Sequence, residues 1–184
     1  SGGSEGDTEA LFSAARLLWQ QHKRPLHIAI SAVEHEAVNQ TAALLAELGD
    51  RISVVPVTAQ GIVTLESIES LIQTDKPDIL SLMAVNNEIG TLQPVGEAAL
   101  LCNRAGVLLH SDAVRAIGHG LRALCTAQHL PLFNGTGHKF GGPRGVGVLI
   151  ARHALISEIT GITDARLPQH ICGVGQEGGS RAGT

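Results

Sequence analysis

Aromatic side chains are scarce in this chain: Phe12, Phe133, Phe140 and Trp19 are the whole set. The interior must therefore be aliphatic, and an apolar content of 43% supplies enough Ala, Val, Ile and Leu to fill it. Such interiors are typical of parallel sheets covered on both faces. Charge of one sign is also lacking. A balance of 13 basic against 17 acidic residues, formally −4, gives neither a basic nucleic-acid surface nor an acidic disordered tail. Cysteines are few: Cys102, Cys125 and Cys172 make an odd number with no CxxC pair. Neither a disulfide framework nor a zinc site is expected, and a reducing cytoplasm suits the composition. No apolar run approaches the roughly 18 residues of a membrane span, and the opening SGGSEGD carries no secretory pattern. A start in a glycine turn and a finish in GGSRAGT are unlike ordinary domain ends, so the expectation is a fragment.

What is present alternates between helix-like and strand-like segments. Ser4 is expected to cap a first helix carrying Ala10, Leu11, Ala14, Ala15, Leu18 and Trp19 near a 3.6-residue period. Pro25 breaks it, and residues 26–31 (LHIAIS) read as a strand. Helical pattern returns over 36–48 and closes near Gly49. A strand at 52–57, a short helix at 65–72 and an interior strand at 78–84 follow. A helix over 95–105 ends at Gly106, before a strand at 107–110. Weaker strands are expected at 130–133 and 146–151. Strand–helix–strand units of this length predict a mainly parallel α/β sheet flanked by helices, with right-handed crossovers. No repeat, linker or low-complexity tract divides residues 1–184, which read as one domain.

The polar clusters SAVEHEAV, AVNNEIG, HSDAV and GTGHKFGGPRG fall where these strands end. Ligands of open α/β sheets collect at the carboxyl ends of strands. Lys139 stands in the last cluster, after a strand and before a glycine-rich turn. A lysine whose pKa is lowered by its surroundings can hold an aldehyde as a Schiff base, though a lysine beside glycines is ordinarily a solvated loop charge. The GGPRG stretch lacks the GK[ST] ending of a phosphate-binding P-loop. Asp112 ends VLLHSD, where a buried carboxylate could keep a pyridine nitrogen protonated or simply cap a turn. His35 follows a strand and opens a helix; an imidazole there can lie against a ring and move protons. Glu34 and Glu36 beside it read as first-turn acids that complement the helix dipole. Ser1–Ser4 (SGGS) lets backbone N–H groups approach an anion, with the Ser4 hydroxyl as a further donor. Asn87 is an amide at a strand end. The nine histidines are scattered, with no HxH or HExxH, and no metal is expected.

Together, SGGSE, SAVEHEAV, NNEIGTLQP, HSDAV, GHKFGGPRGVG and GGSRAGT, in this order and at these intervals, resemble the large domain of cysteine desulfurases. These belong to the class V aminotransferases of pyridoxal-phosphate fold type I, and the related selenocysteine lyases share the pattern. The resemblance covers essentially the whole chain. It implies pyridoxal 5'-phosphate as cofactor and L-cysteine as substrate, with Lys139 as the Schiff-base lysine and His35 stacked on the ring. It also implies Asp112 on the ring nitrogen and Asn87 on the cofactor face. Gly3, Ser4, Thr136 and His138 would bind the phosphate, and Thr184 would reach the phosphate of a second subunit, which implies a homodimer. A sulfur-acceptor or scaffold protein is a further partner, whereas nucleic acid and membrane are not.

Three departures stand out. The family's glutamine three residues after the aspartate is Arg115, which would donate to the cofactor's phenolic oxygen and bring a positive charge to it. The segment between Asp112 and Lys139 is one residue longer than the family's. The family's persulfide cysteine lies beyond this chain's last residue, and none of the three cysteines is assigned that role. The alternatives are a selenocysteine lyase or other class V relative, and a non-catalytic remnant or interaction subunit that keeps the fold.

Overall fold

The fold is that of a computed structural model, which describes residues 2–117, 132–139 and 141–151. Its elements are α1 (Gly3–His22), β1 (His27–Ser31), α2 (Glu36–Glu47), β2 (Arg51–Val55), α3 (Leu65–Thr74) and β3 (Ile79–Ser81). They continue with α4 (Val95–Ala105), β4 (Leu108–Asp112), β5 (Leu132–Thr136) and β6 (Gly147–Ala151), a 3-10 turn at Gly137–Lys139 following β5. The six strands lie in the order β2-β1-β3-β4-β5-β6, parallel except for β6, which runs antiparallel to β5. The expected mainly parallel sheet is present. Among the described residues no helix is long and apolar enough to cross a membrane.

Alternation along the strands builds two cores. Ile28, Ile30 and Ile79 face α1 and α2, packing with Ala10, Leu11, Ala14, Val38 and Leu45. Their neighbours Ala29, Leu80 and Leu109 face α3 and α4, packing with Ile68, Ala98, Ala99 and Cys102. Every residue of β1 is buried, as a strand covered on both faces requires. The sheet's amino edge is tied by Asp78, which accepts from both Arg24 terminal nitrogens at 2.8 and 2.7 Å and from the His27 backbone N–H at 2.8 Å.

Three local expectations need correction. Ser4 does not cap α1: the cap is Gly2, extended and without a side-chain bond, and Ser4 lies within the first turn. Gly3 lies so close to Val114 that an added β-carbon would stand 2.7 Å from its Cγ2. A helix that begins at the glycines can seat against β4. Glu34 is not a dipole-facing surface acid but a buried one. The interior strand is shorter than residues 78–84, although Leu82 and Ala84 still donate to the His110 and Asp112 carbonyls.

Candidate active site at the carboxyl edge of the sheet

Four adjacent parallel strands, β1, β3, β4 and β5, end on one edge, and each delivers a polar group there. His35 follows β1 as the N-cap of α2, its Nδ1 accepting from the Ala37 N–H at 3.1 Å. That bond fixes the ring at the helix entrance and leaves Nε2 as its other polar atom. Asn87 follows β3 in an exposed turn. The turn is held by its neighbour Asn86, whose Oδ1 accepts from the Glu88 and Ile89 N–H groups at 2.9 and 3.0 Å.

Asp112 is the last residue of β4 and is 5% exposed. Its Oδ1 accepts from the Val114 N–H at 2.8 Å. Burial raises its pKa, while the Val114 hydrogen bond and the nearby His35 ring pull it down. The imidazole and the acid therefore share one electrostatic neighbourhood. Asp112 pairs in register with Asn134 of β5, and Lys139 closes the 3-10 turn that follows that strand. Lys139 is half-buried and makes no hydrogen bond or ion pair with a described residue. Arg115, in the turn after Asp112, is exposed.

The start of α1 joins the same edge. Asn134 Nδ2 donates to the Gly3 carbonyl at 3.1 Å. Gly147, paired with Thr136 across β5 and β6, comes so close that a β-carbon on it would stand 3.0 Å from the Gly2 backbone N and O. A side chain at this contact would press on the start of α1. Thr136 is 1% exposed and donates to the Val146 carbonyl at 3.1 Å, while its oxygen lies 3.1 Å from His138 Nδ1. Gly3, Ser4, Thr136 and His138 thus stand around the α1 N-terminus, whose first N–H groups lack helical acceptors. Thr184, Cys125 and Cys172 lie outside the described residues.

This donor set fits pyridoxal phosphate: a buried acid, an imidazole within its field, an amine without a partner among the described residues, and polar groups beside the start of α1 that could receive an anion. Sequence reasoning missed a buried layer behind it. Asp7 of α1 is 1% exposed and His110 of β4 fully buried, with Asp7 Oδ1 3.8 Å from His110 Nε2. Glu34 Oε1 accepts from the Ser31 hydroxyl at 2.7 Å and the Met83 N–H at 2.8 Å. A clue existed: Asp7 sits three and four residues before Ala10 and Leu11, on the apolar stripe of α1.

The aminotransferase class-V family model matches residues 4–166. A cysteine desulfurase named IscS from Clostridium botulinum (strain Kyoto / Type A2) is 36% identical over all of this chain and 43% of its own length. The mitochondrial cysteine desulfurase of Drosophila melanogaster is 34% identical over all of this chain and 37% of its own. Among solved structures, a NifS-like protein matches with TM-score 0.74 at 32% identity, covering 100% of this chain and 47% of that one. DndA from Streptomyces lividans matches with TM-score 0.73 at 32% identity, covering 83% and 41%. The chain spans less than half the length of these relatives.

Proposed function

The chain belongs to the aminotransferase class-V family, and on that premise we propose that residues 1–184 form the cofactor-binding domain of a pyridoxal-phosphate cysteine desulfurase. The observation that carries this reading is the convergence of Asp112, His35 and Lys139 on one sheet edge, beside the glycine-rich start of α1. The curated relatives' shared description as cysteine desulfurases supports the substrate, L-cysteine.

Lys139 would hold the cofactor's aldehyde carbon and, once displaced by the substrate amine, carry protons to and from the substrate. Asp112 would accept a hydrogen bond from the protonated ring nitrogen and so keep it protonated, and His35 would stack on the ring with Asn87 against the cofactor face. Gly3, Ser4, Thr136 and His138 would bind the phosphate. When bound, pyridoxal phosphate supplies an electron-withdrawing ring that stabilises negative charge at the substrate carbon. Sulfur then passes from cysteine to an enzyme thiol, leaving alanine and a persulfide. Cys102 is unsuited to that role: it is buried in α4, and burial pushes its thiol up to about 12. A second copy of the chain, with Thr184 at its phosphate, and a sulfur-acceptor protein complete the assembly in a reducing cytoplasm.

Adding pyridoxal phosphate is expected to give a visible absorbance band that borohydride fixes and Lys139→Ala abolishes. Sulfide and alanine release from cysteine identifies the substrate. A protein that stays colourless with the cofactor would sink the reading.

A further inference from the structure

We propose that Asp7 is a proton-bearing, uncharged acid standing behind Asp112, a positioning residue that fixes the charge Asp112 presents at the carboxyl edge of the sheet. The inference rests on the reading of that edge as a pyridoxal-phosphate site only for its effect on the cofactor. The state of Asp7 itself follows from the buried cluster.

Five buried side-chain polar atoms lack a hydrogen-bond partner among the described residues, and four of them gather here: Asp7 Oδ1, Glu34 Oε2, His110 Nε2 and Asn134 Oδ1. Three of these residues come from elements far apart in sequence, α1, β4 and β5, and Glu34 comes from the loop after β1. Three carboxyl groups, Asp7, Glu34 and Asp112, lie within one another's fields and away from water. Like charges so placed cannot all ionise, and the proton settles on the acid whose anion is least supported.

Their surroundings rank them. Glu34 Oε1 accepts from the Ser31 hydroxyl and the Met83 N–H. Asp112 accepts from the Val114 N–H and has His35 beside it. Asp7 has only the Asn134 amide in its favour, and its Oδ1 is unpaired. His110 could charge to compensate, but it is fully buried, its Nδ1 is bonded with Ser81 Oγ at 2.9 Å, and burial lowers its pKa to about 4. Among the described residues, the other elements packed on α1 bring no cation to Asp7. From α2 comes Thr41, its hydroxyl 3.1 Å from Thr8, and β6 has no titratable residue. Asp7 accordingly rises to about 9, from burial first and then from Asp112 and Glu34, whereas Glu34 rises only to about 7.

A neutral Asp7 spares Asp112 a second buried anion, so Asp112 keeps its charge when a ring nitrogen offers a proton. If Asp7 ionised, Asp112 would bind that proton more tightly or be neutralised itself.

Carboxyl carbon NMR of aspartate-labelled protein tests this without activity. One aspartate is expected to titrate near pH 9, and Asp7→Asn should remove that signal alone. Glu34→Gln, which deletes one like charge, should lower its midpoint. If Asp7→Asn does not fold, the wild-type titration and the Glu34→Gln shift still decide. The proposal is overturned if every aspartate titrates below neutrality, as an ionised Asp7 beside a charged His110 would require. It is equally overturned if the alkaline signal survives Asp7→Asn. With pyridoxal phosphate added, the wild-type visible spectrum should change over the same alkaline range and the Asp7→Asn spectrum should not. A protein that takes up no cofactor would refute the functional reading and leave the carboxyl titration to judge Asp7.

Discussion

Arg115 is the residue at which this chain departs most plainly from the pattern it resembles. It follows the buried Asp112 by three positions, on an exposed turn. A guanidinium there would favour the anionic form of the cofactor's phenolic oxygen, where a glutamine would only donate a hydrogen bond. Arg115→Gln is therefore expected to move the pH midpoint of the cofactor's visible band upward. Because the side chain is exposed, the shift should be roughly 0.5–1 pH unit, the solvent-screened effect of one charge at about 4 Å. An unchanged profile would mean that Arg115 does not reach the ring. Asp112 and His35 were legible in sequence because a strand end and a helix start are local positions. Glu34 was not. The segment SAVEHEAV puts it beside a helix start, where acids are ordinarily exposed, and only the β1–β3 pairing brings the Met83 N–H to it.

Among the elements, α4 matched its sequence expectation because Gly106 takes the left-handed conformation that ends a helix, with φ 72°. Strand β5 was misplaced. The apolar letters of HLPLF suggested 130–133, but pairing with β4 carries the strand on to Asn134, and pairing with β6 carries it through Gly135 and Thr136. Polar residues there are tolerated because Asn134 donates to Gly3 and Thr136 to Val146. The strand expected at 146–151 is present as β6, but its antiparallel direction was not legible, since strand direction depends on the turn that enters it. At the opposite edge, Asp78 joins the end of α1 to the start of β1. Asp78→Ala would leave the His27 N–H buried without its acceptor, and a loss of about 1–3 kcal/mol in denaturant unfolding is expected. Asp78→Asn keeps an acceptor and should lose less. Equal losses would show that the Arg24 ion pair, not the backbone bond, carries the effect. Neither change should alter cofactor binding at the far edge.

At the scale of the whole molecule, the buried acids should govern how stability depends on pH. Asp7 keeps its proton to about pH 9 in the folded chain but loses it near 3.8 when unfolded. Between those values the folded state binds the extra proton, so stability falls as pH rises. Glu34 adds to the same slope between 4.5 and about 7, and Asp112, also raised, acts in the same direction. His110 opposes them. Its folded pKa of about 4 lies below the ordinary 6.5, so across that window the unfolded chain binds the extra proton and stability rises with pH. Below about 6.5 the imidazole thus offsets one acid. Above it, among the described residues, no resolved shift opposes the decline. Chemical unfolding at fixed pH should therefore show stability dropping from about pH 6.5 to 9, and Asp7→Asn should flatten that limb. The variant should exceed wild type near pH 9 by on the order of 1–3 kcal/mol, less than the full shift implies because buried acids relax when they ionise. A wild-type curve that rises to pH 9 would contradict the protonation of Asp7.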